Sequence, residues 1–441
     1  MADSLSGTSP ALEVDEHAHK GRTVGYLVCW LLGNGCLFSW NSLITIQDYF
    51  LVVFDGYHAA RVFTLVYQPF ALGTMLILTY HEARINTRLR LISGYTLFFI
   101  FILAIPILDL ATNGHGGIGA FVGTCIFIAG FGVADAFVQG GMFGEVSFMD
   151  SSYVQAFSAG LAASGAITSG LRLICKSSFP NTKDGLRNSA LVFFFISAFF
   201  EFTCILLYAY VFPRLAFVKY FRTKAASEGS LTVSADLVAV GSTTYRNETL
   251  SENCDFKLRS WQDNQQGMKA LMPLERLTTS QLLAKNADYC FIICFCFTLT
   301  LSIFPGFLAE DTGKHHLGTW YSVTLVAMYN VGDLLGRYIP LIDSLLLKSR
   351  PMLLLATLSR VVFIPAFYFT AKYGPQGWMI ILTTLLGVSN GYVTVCAFVG
   401  APKGYLGPEQ NALGNILVLF LVIGLFVGVV VDWLWLIGKG W

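Results

Sequence analysis

Asp333 and Arg337 stand four residues apart in Asn330-Val-Gly-Asp333-Leu-Leu-Gly-Arg337. That is one helical turn, so both project from one face and can touch. A carboxylate accepts hydroxyl protons, and a guanidinium offers a planar fork of donors. Two neighbouring hydroxyls, such as the 2′ and 3′ hydroxyls of a ribose, suit that pair. The competing reading has Arg337 near the inner surface, snorkelling, with Asp333 as its counter-ion. Gln139 lies among glycines in Val-Gln-Gly-Gly-Met-Phe-Gly. Its amide offers both a donor and an acceptor, as the edge of a nucleobase requires, or else bonds a neighbouring helix. Trp40, followed by Asn41, is either an interfacial anchor or a platform for a planar ring. Asp135, one turn before Gln139, is the candidate for proton coupling.

These residues sit in a chain built for lipid. Of 441 residues, 55% are hydrophobic and only 12% charged, with mean hydropathy +0.62; soluble domains carry about 25% charged residues. Eleven apolar stretches cover 23–46, 61–80, 89–109, 117–143, 151–175, 187–212, 287–308, 318–340, 352–371, 376–400 and 408–438. Each is near the ~20 residues that span a bilayer core, where backbone amides find no water and must close helices. The reading is an all-α polytopic membrane protein with eleven transmembrane helices. A tail over 1–22 leads into six helices (23–212), a polar segment over 213–286 reads as a flexible linker, and five helices follow (287–441). An ionisable group inside such helices is costly and marks a functional candidate. Arg172, Glu201, Asp288, Arg360 and Asp432 also fall there, several near helix ends, where they read as interface residues. Small residues recur at every fourth position in Gly132–Gly144 and Ala156–Thr168, letting helices approach closely.

Placing the N-terminus in the cytosol puts eighteen of the 28 Lys and Arg residues inside and seven outside. The positive-inside bias thus favours a cytosolic N-terminus, a cytosolic 213–286 segment and an outer C-terminus, although Lys176, Lys183 and Arg187 run against it. The acidic start, Asp3 to Glu16, lacks a basic region or a cleavage site, so the first helix is expected to act as the insertion signal. The sequon at Asn247 falls in the cytosolic segment and is discounted. Cysteines scattered through the apolar runs read as small core residues, and Cys290, Cys294 and Cys296 lack zinc spacing. No metal or cofactor is expected. A net charge of +1 gives no indication of nucleic-acid binding. No phosphate-cradling loop ending in Gly-Lys-Ser/Thr occurs, which argues against ATP drive.

Several motifs together resemble the equilibrative nucleoside transporters, most of all their plant members. They are Leu32-Gly33-Asn34-Gly35 leading to Trp40-Asn41, Gln139-Gly140-Gly141-Met142-Phe143-Gly144 followed by Tyr153, and Tyr329-Asn330 with Asp333 and Gly336-Arg337. Asn390-Gly391-Tyr392, Gly400-Ala401-Pro402-Lys403 with Pro408-Glu409, and Asp432-Trp433-Leu434-Trp435 complete the set. The likeness implies a major-facilitator-like 6+5 bundle holding substrate between its halves. It implies that Trp40, Gln139, Asn330, Asp333 and Arg337 line the cavity: Gln139 on the base, Asp333 and Arg337 on the ribose, Trp40 flanking from the outer side. Expected substrates are purine and pyrimidine nucleosides such as adenosine and uridine, moved with or without protons, across the plasma membrane by default. Ser39 stands where the family has proline before Trp-Asn, and Leu334 where it has tryptophan. A carrier of nucleobases or sugars on the same bundle is the alternative, with a non-transporting receptor behind it. An enzyme is not expected, because no nucleophile–base pair or metal-ligand set appears.

Overall fold

The computed structural model describes residues 22–81, 86–180, 182–227, 277–310, 319–405 and 407–436, and among them the regular structure is helical throughout. The first half comprises α1 (Arg22–Thr45), short α2 (Gln47–Val53), α3 (Ala59–Tyr80), α4 (Thr87–Ala111), α5 (Ile118–Ser147), α6 (Ser151–Ser178) and α7 (Lys183–Leu206). α7 runs on through a π turn at Leu207–Val211 and a 3-10 turn at Phe212–Arg214. Helix α8 covers 216–227. The second half holds α9 (Thr279–Lys285), α10 (Ala287–Leu301), α11 (Gly306–Glu310), α12 (Thr319–Tyr338), α13 (Arg350–Ser359), α14 (Phe363–Tyr373), α15 (Gln376–Gly400) and α16 (Gly407–Asp432).

Ten helices among the described residues are long and apolar enough to cross a bilayer. The eighth expected span is present as α12, a 20-residue helix, but Asn330, Asp333 and Arg337 make it too polar to join that set. The expected span over 352–371 is interrupted by a 3-10 turn at Arg360–Val362. Outward faces are apolar, with Ile126, Phe199 and Val362 largely exposed, as lipid contact requires. The segment read as a flexible linker has helical ends, α8 and α9, the latter opened by a capping box between Thr278 and Gln281; its stretch over 228–276 lies outside the described residues.

Helix α1 packs along α6, α3 and α4 flank α5, α10 packs on α16, and α12 packs along α15. The halves meet where α6 contacts α12 and where α16 contacts α3 and α5. Glycines set the tightest crossings. A Cβ at Gly336 would overlap the Val388 carbonyl, and one at Gly387 or Gly391 would overlap the carbonyls of Tyr329 or Asp333. The α12 and α15 backbones therefore touch, which brings Asn390 onto Asp333. The α1–α6 crossing repeats the device, with Gly33 on the Phe157 carbonyl and Gly160 on that of Trp30. This is the small-residue packing that membrane helices use in place of a hydrophobic driving force.

Two arginines at the starts of expected spans, Arg61 and Arg90, are buried. Arg61 lies within α3 and bonds Asp432 of α16, Nε to Oδ2, at 3.3 Å. Arg90 lies within α4 and donates to the Ala136 and Phe137 carbonyls of α5 and to Asn415 of α16. Partners across the bundle, invisible in a local reading, drew both inward. Lys176 and Arg187, which ran against the charge bias, are held by Asp48 at 3.0 Å and Asp109 at 2.8 Å.

Candidate functional site

Trp40, Asp135, Gln139, Asn330, Asp333 and Arg337 all line one cavity of about 100 Å³. It lies where the halves meet. α1 brings Trp40, α5 brings Asp135 and Gln139, and α12 brings the other three. The remaining wall comes from α3, α6, α10, α15 and α16.

Arg337 Nε donates to Asp333 Oδ2 at 3.0 Å, so the four-residue spacing does make a pair. The second carboxylate oxygen accepts from Asn390 Nδ2 at 2.7 Å. Arg337 is 5% exposed and reaches across the interface to the backbone carbonyl and hydroxyl of Ser158 on α6, at 2.7 and 3.0 Å. It therefore points into the bundle rather than snorkelling to a surface. A carboxylate has about four acceptor positions and a guanidinium five donors, so both groups retain capacity toward the cavity. Behind the pair, the Thr300 hydroxyl lies 2.9 Å from Asn390 Oδ1, and Arg360 donates to that hydroxyl at 2.7 Å. Buried Arg360 thus stands in the wall behind Asp333, fixed also by the Cys296 carbonyl and the Ser389 hydroxyl.

Asn330 donates to Ser169 Oγ on α6 at 3.0 Å, a second bond between the halves. Gln139 is buried, and its Oε1 has no hydrogen-bond partner. Asp135 is buried beside the Cys36 thiol, with 3.8 Å from Sγ to Oδ1. Trp40 lines the cavity, but Tyr67 already covers one ring face, with centroids 4.0 Å apart. A solute ring could meet only its edge or its other face. On the opposite half, Phe304 stacks on Tyr329 at 4.1 Å, and both rings border the same space.

Sequence reasoning missed Tyr67 and Gln68 on α3 and did not single out Asn390 as a lining residue. The local signal at 68 was slight: one amide in an apolar run, next to Pro69. Asn390 lies 57 residues from the Asp333 it bonds, and only the crossing of α12 with α15 joins them.

A family model described as nucleoside transporter matches residues 125–437. Equilibrative nucleotide transporter 3 of Arabidopsis thaliana is 55% identical over 420 residues, covering 95% of this chain and 96% of that one. Equilibrative nucleotide transporter 2 of the same plant is 50% identical over 422 residues, covering 96% and 97%. Among solved structures, the major-facilitator proton:xylose symporter XylE superposes with a TM-score of 0.61 at 10% identity, covering 94% of this chain and 88% of its own. That likeness is one of fold.

Proposed function

This chain belongs to the nucleoside transporter family, with plant-type relatives, and we propose that its central cleft takes up purine and pyrimidine nucleosides, adenosine and uridine among them, and passes them across the membrane by alternating access. It is a membrane carrier of the major-facilitator fold, not an enzyme. The observation that carries the proposal is the buried Asp333–Arg337 pair facing a cavity between the halves. Asp333 and Arg337 hold the ribose hydroxyls, Gln139 the base edge, and Asn330 and Trp40 the walls around them.

The Arabidopsis relatives have nucleotide in their names. The charge of this cleft suits the neutral nucleoside better. Its lining includes two carboxylates, Asp135 and Asp333, and one guanidinium, Arg337, already bonded to Asp333. The one cation among the described lining residues is thus already neutralised by Asp333, and a phosphate entering this buried cleft would find no free cation among them to pair with.

Rocking of one half against the other about a midplane site is the expected cycle. Asp135, buried in the cavity wall, is the group we assign to proton coupling, since a buried carboxylate without a pairing cation is far cheaper to keep as the neutral acid. The 213–286 segment tethers the halves on the cytosolic side, with the N-terminus inside and the C-terminus outside, in the plasma membrane. A C-terminal epitope should be labelled on intact cells; labelling only after permeabilisation would reverse that topology.

Vesicles containing only this protein should accumulate labelled adenosine and uridine, and Asp333→Ala should abolish uptake while still reaching the membrane. Full uptake by a correctly delivered Asp333→Ala would remove the ribose role. In the same vesicles an inward proton gradient should speed wild-type uptake and leave Asp135→Asn unmoved; equal response by both would clear Asp135.

A further inference from the structure

The cleft contains a second side-chain amide. Gln68 on α3 is 1% exposed, borders the same cavity as Gln139, and its Oε1 likewise lacks any hydrogen-bond partner. Buried polar atoms in proteins are nearly always paired, and leaving one unmade is expensive. Two such amide oxygens on one cavity, from α3 and α5, point to something that enters and bonds them.

We infer that Gln68 is a second base-reading residue, which together with Gln139 forms a two-amide clamp on the nucleobase. This rests on the nucleoside reading of the cleft. The geometry divides the work between the halves. Asp333 and Arg337 belong to α12 in the second half, so a ribose held there directs its base toward the first half, where both amides stand. A base edge presents adjacent donors and acceptors. An amide carries a carbonyl acceptor and two N–H donors, and one that no neighbour anchors through its oxygen can turn about its last bond. An exocyclic amine then meets Oε1 and an exocyclic oxygen meets the NH₂ group, so one clamp serves amino and oxo bases alike. Pro69 follows directly and contributes no N–H to the α3 ladder. The acceptor this leaves free is the Leu65 carbonyl, one turn before the proline.

The test is competition against labelled adenosine on the purified full-length protein, wild type and Gln68→Met. Methionine keeps the length of the side chain and removes both polar atoms. Competitors are adenosine, purine riboside (no exocyclic amine), and the 1-deaza and 7-deaza analogues of adenosine (each lacking one ring acceptor). In the wild type, at least one analogue should compete about tenfold worse than adenosine, the usual effect of one lost buried hydrogen bond. In Gln68→Met that penalty should shrink to within about twofold, because the partner it reports is gone. Penalties of unchanged size in Gln68→Met, or no penalty in the wild type, overturn the inference. Gln68→Leu makes the same comparison should the methionine variant fail to reach the membrane. Failure of adenosine itself to bind the wild type would instead overturn the nucleoside reading, so the two failures separate.

Discussion

Ser39 occupies the place where the family pattern has proline, and the structure gives that difference a physical content. Glu201, fully buried on α7, accepts from the Ser39 hydroxyl at 2.6 Å and from the Ser39 backbone N–H at 3.2 Å, both on Oε1. Its Oε2 has no partner. A proline could supply neither bond. Ser39→Ala keeps the N–H and removes the hydroxyl, and should cost about 1 kcal/mol of stability. The same change in a Glu201→Leu background should cost close to nothing, because no carboxyl remains to be left short. Thermal unfolding of the four detergent-solubilised proteins reads the cycle, and an equal cost of Ser39→Ala in both backgrounds would contradict the pairing. The sequence exposed Ser39 as unusual, but its partner stands 162 residues away. Asp333 and Arg337 were legible because the pair is local, one turn apart, and the helix period does the rest. Asn390, Ser158 and Gln68 were not, because their relation to that pair is created only by packing.

At the level of helices, hydropathy located nearly all the long elements, since in lipid each must be a continuous hydrogen-bonded segment. It misplaced what depends on neighbours. Arg61 and Arg90 stand at the starts of expected spans with nothing nearby in the sequence to show that they are buried, yet each is drawn inside by partners on other helices. Short α2 went unread between two stronger signals; its Asp48 forms the ion pairs that hold Arg172 and Lys176 of α6. The break at Arg360 also escaped notice, although that apolar run carries both the arginine and Pro365, whose missing N–H denies the Val361 carbonyl its regular helical bond. The small-residue stripes on α5 and α6 were legible, yet those reciprocal glycines on α12 and α15, which fix the Asp333–Asn390 contact, were not recognised as a crossing. Periodicity marks a face as small; it does not say which helix lies against it.

For the molecule as a whole, the site is an interface. The first half supplies Gln139, Gln68, Trp40 and Asp135, and the second supplies Asn330, Asp333 and Arg337. Bonds also tie the halves directly, from Arg61 to Asp432, from Arg90 to Asn415, from Arg337 to Ser158 and from Asn330 to Ser169. Any rocking motion must exchange some of these for others. A solute that touches only one half gives little reason for the two to close together, whereas a nucleoside, with its ribose on one and its base on the other, spans both. The most direct measurement is inhibition of labelled uridine uptake, in vesicles containing only this protein, by uridine, 2′,3′-dideoxyuridine and uracil. Unlabelled uridine should inhibit at least about tenfold more tightly than the dideoxy analogue, which loses the hydroxyls that Asp333 and Arg337 hold, and uracil should be weaker still. Inhibition by uracil or by the dideoxy analogue as strong as that by uridine would contradict the account.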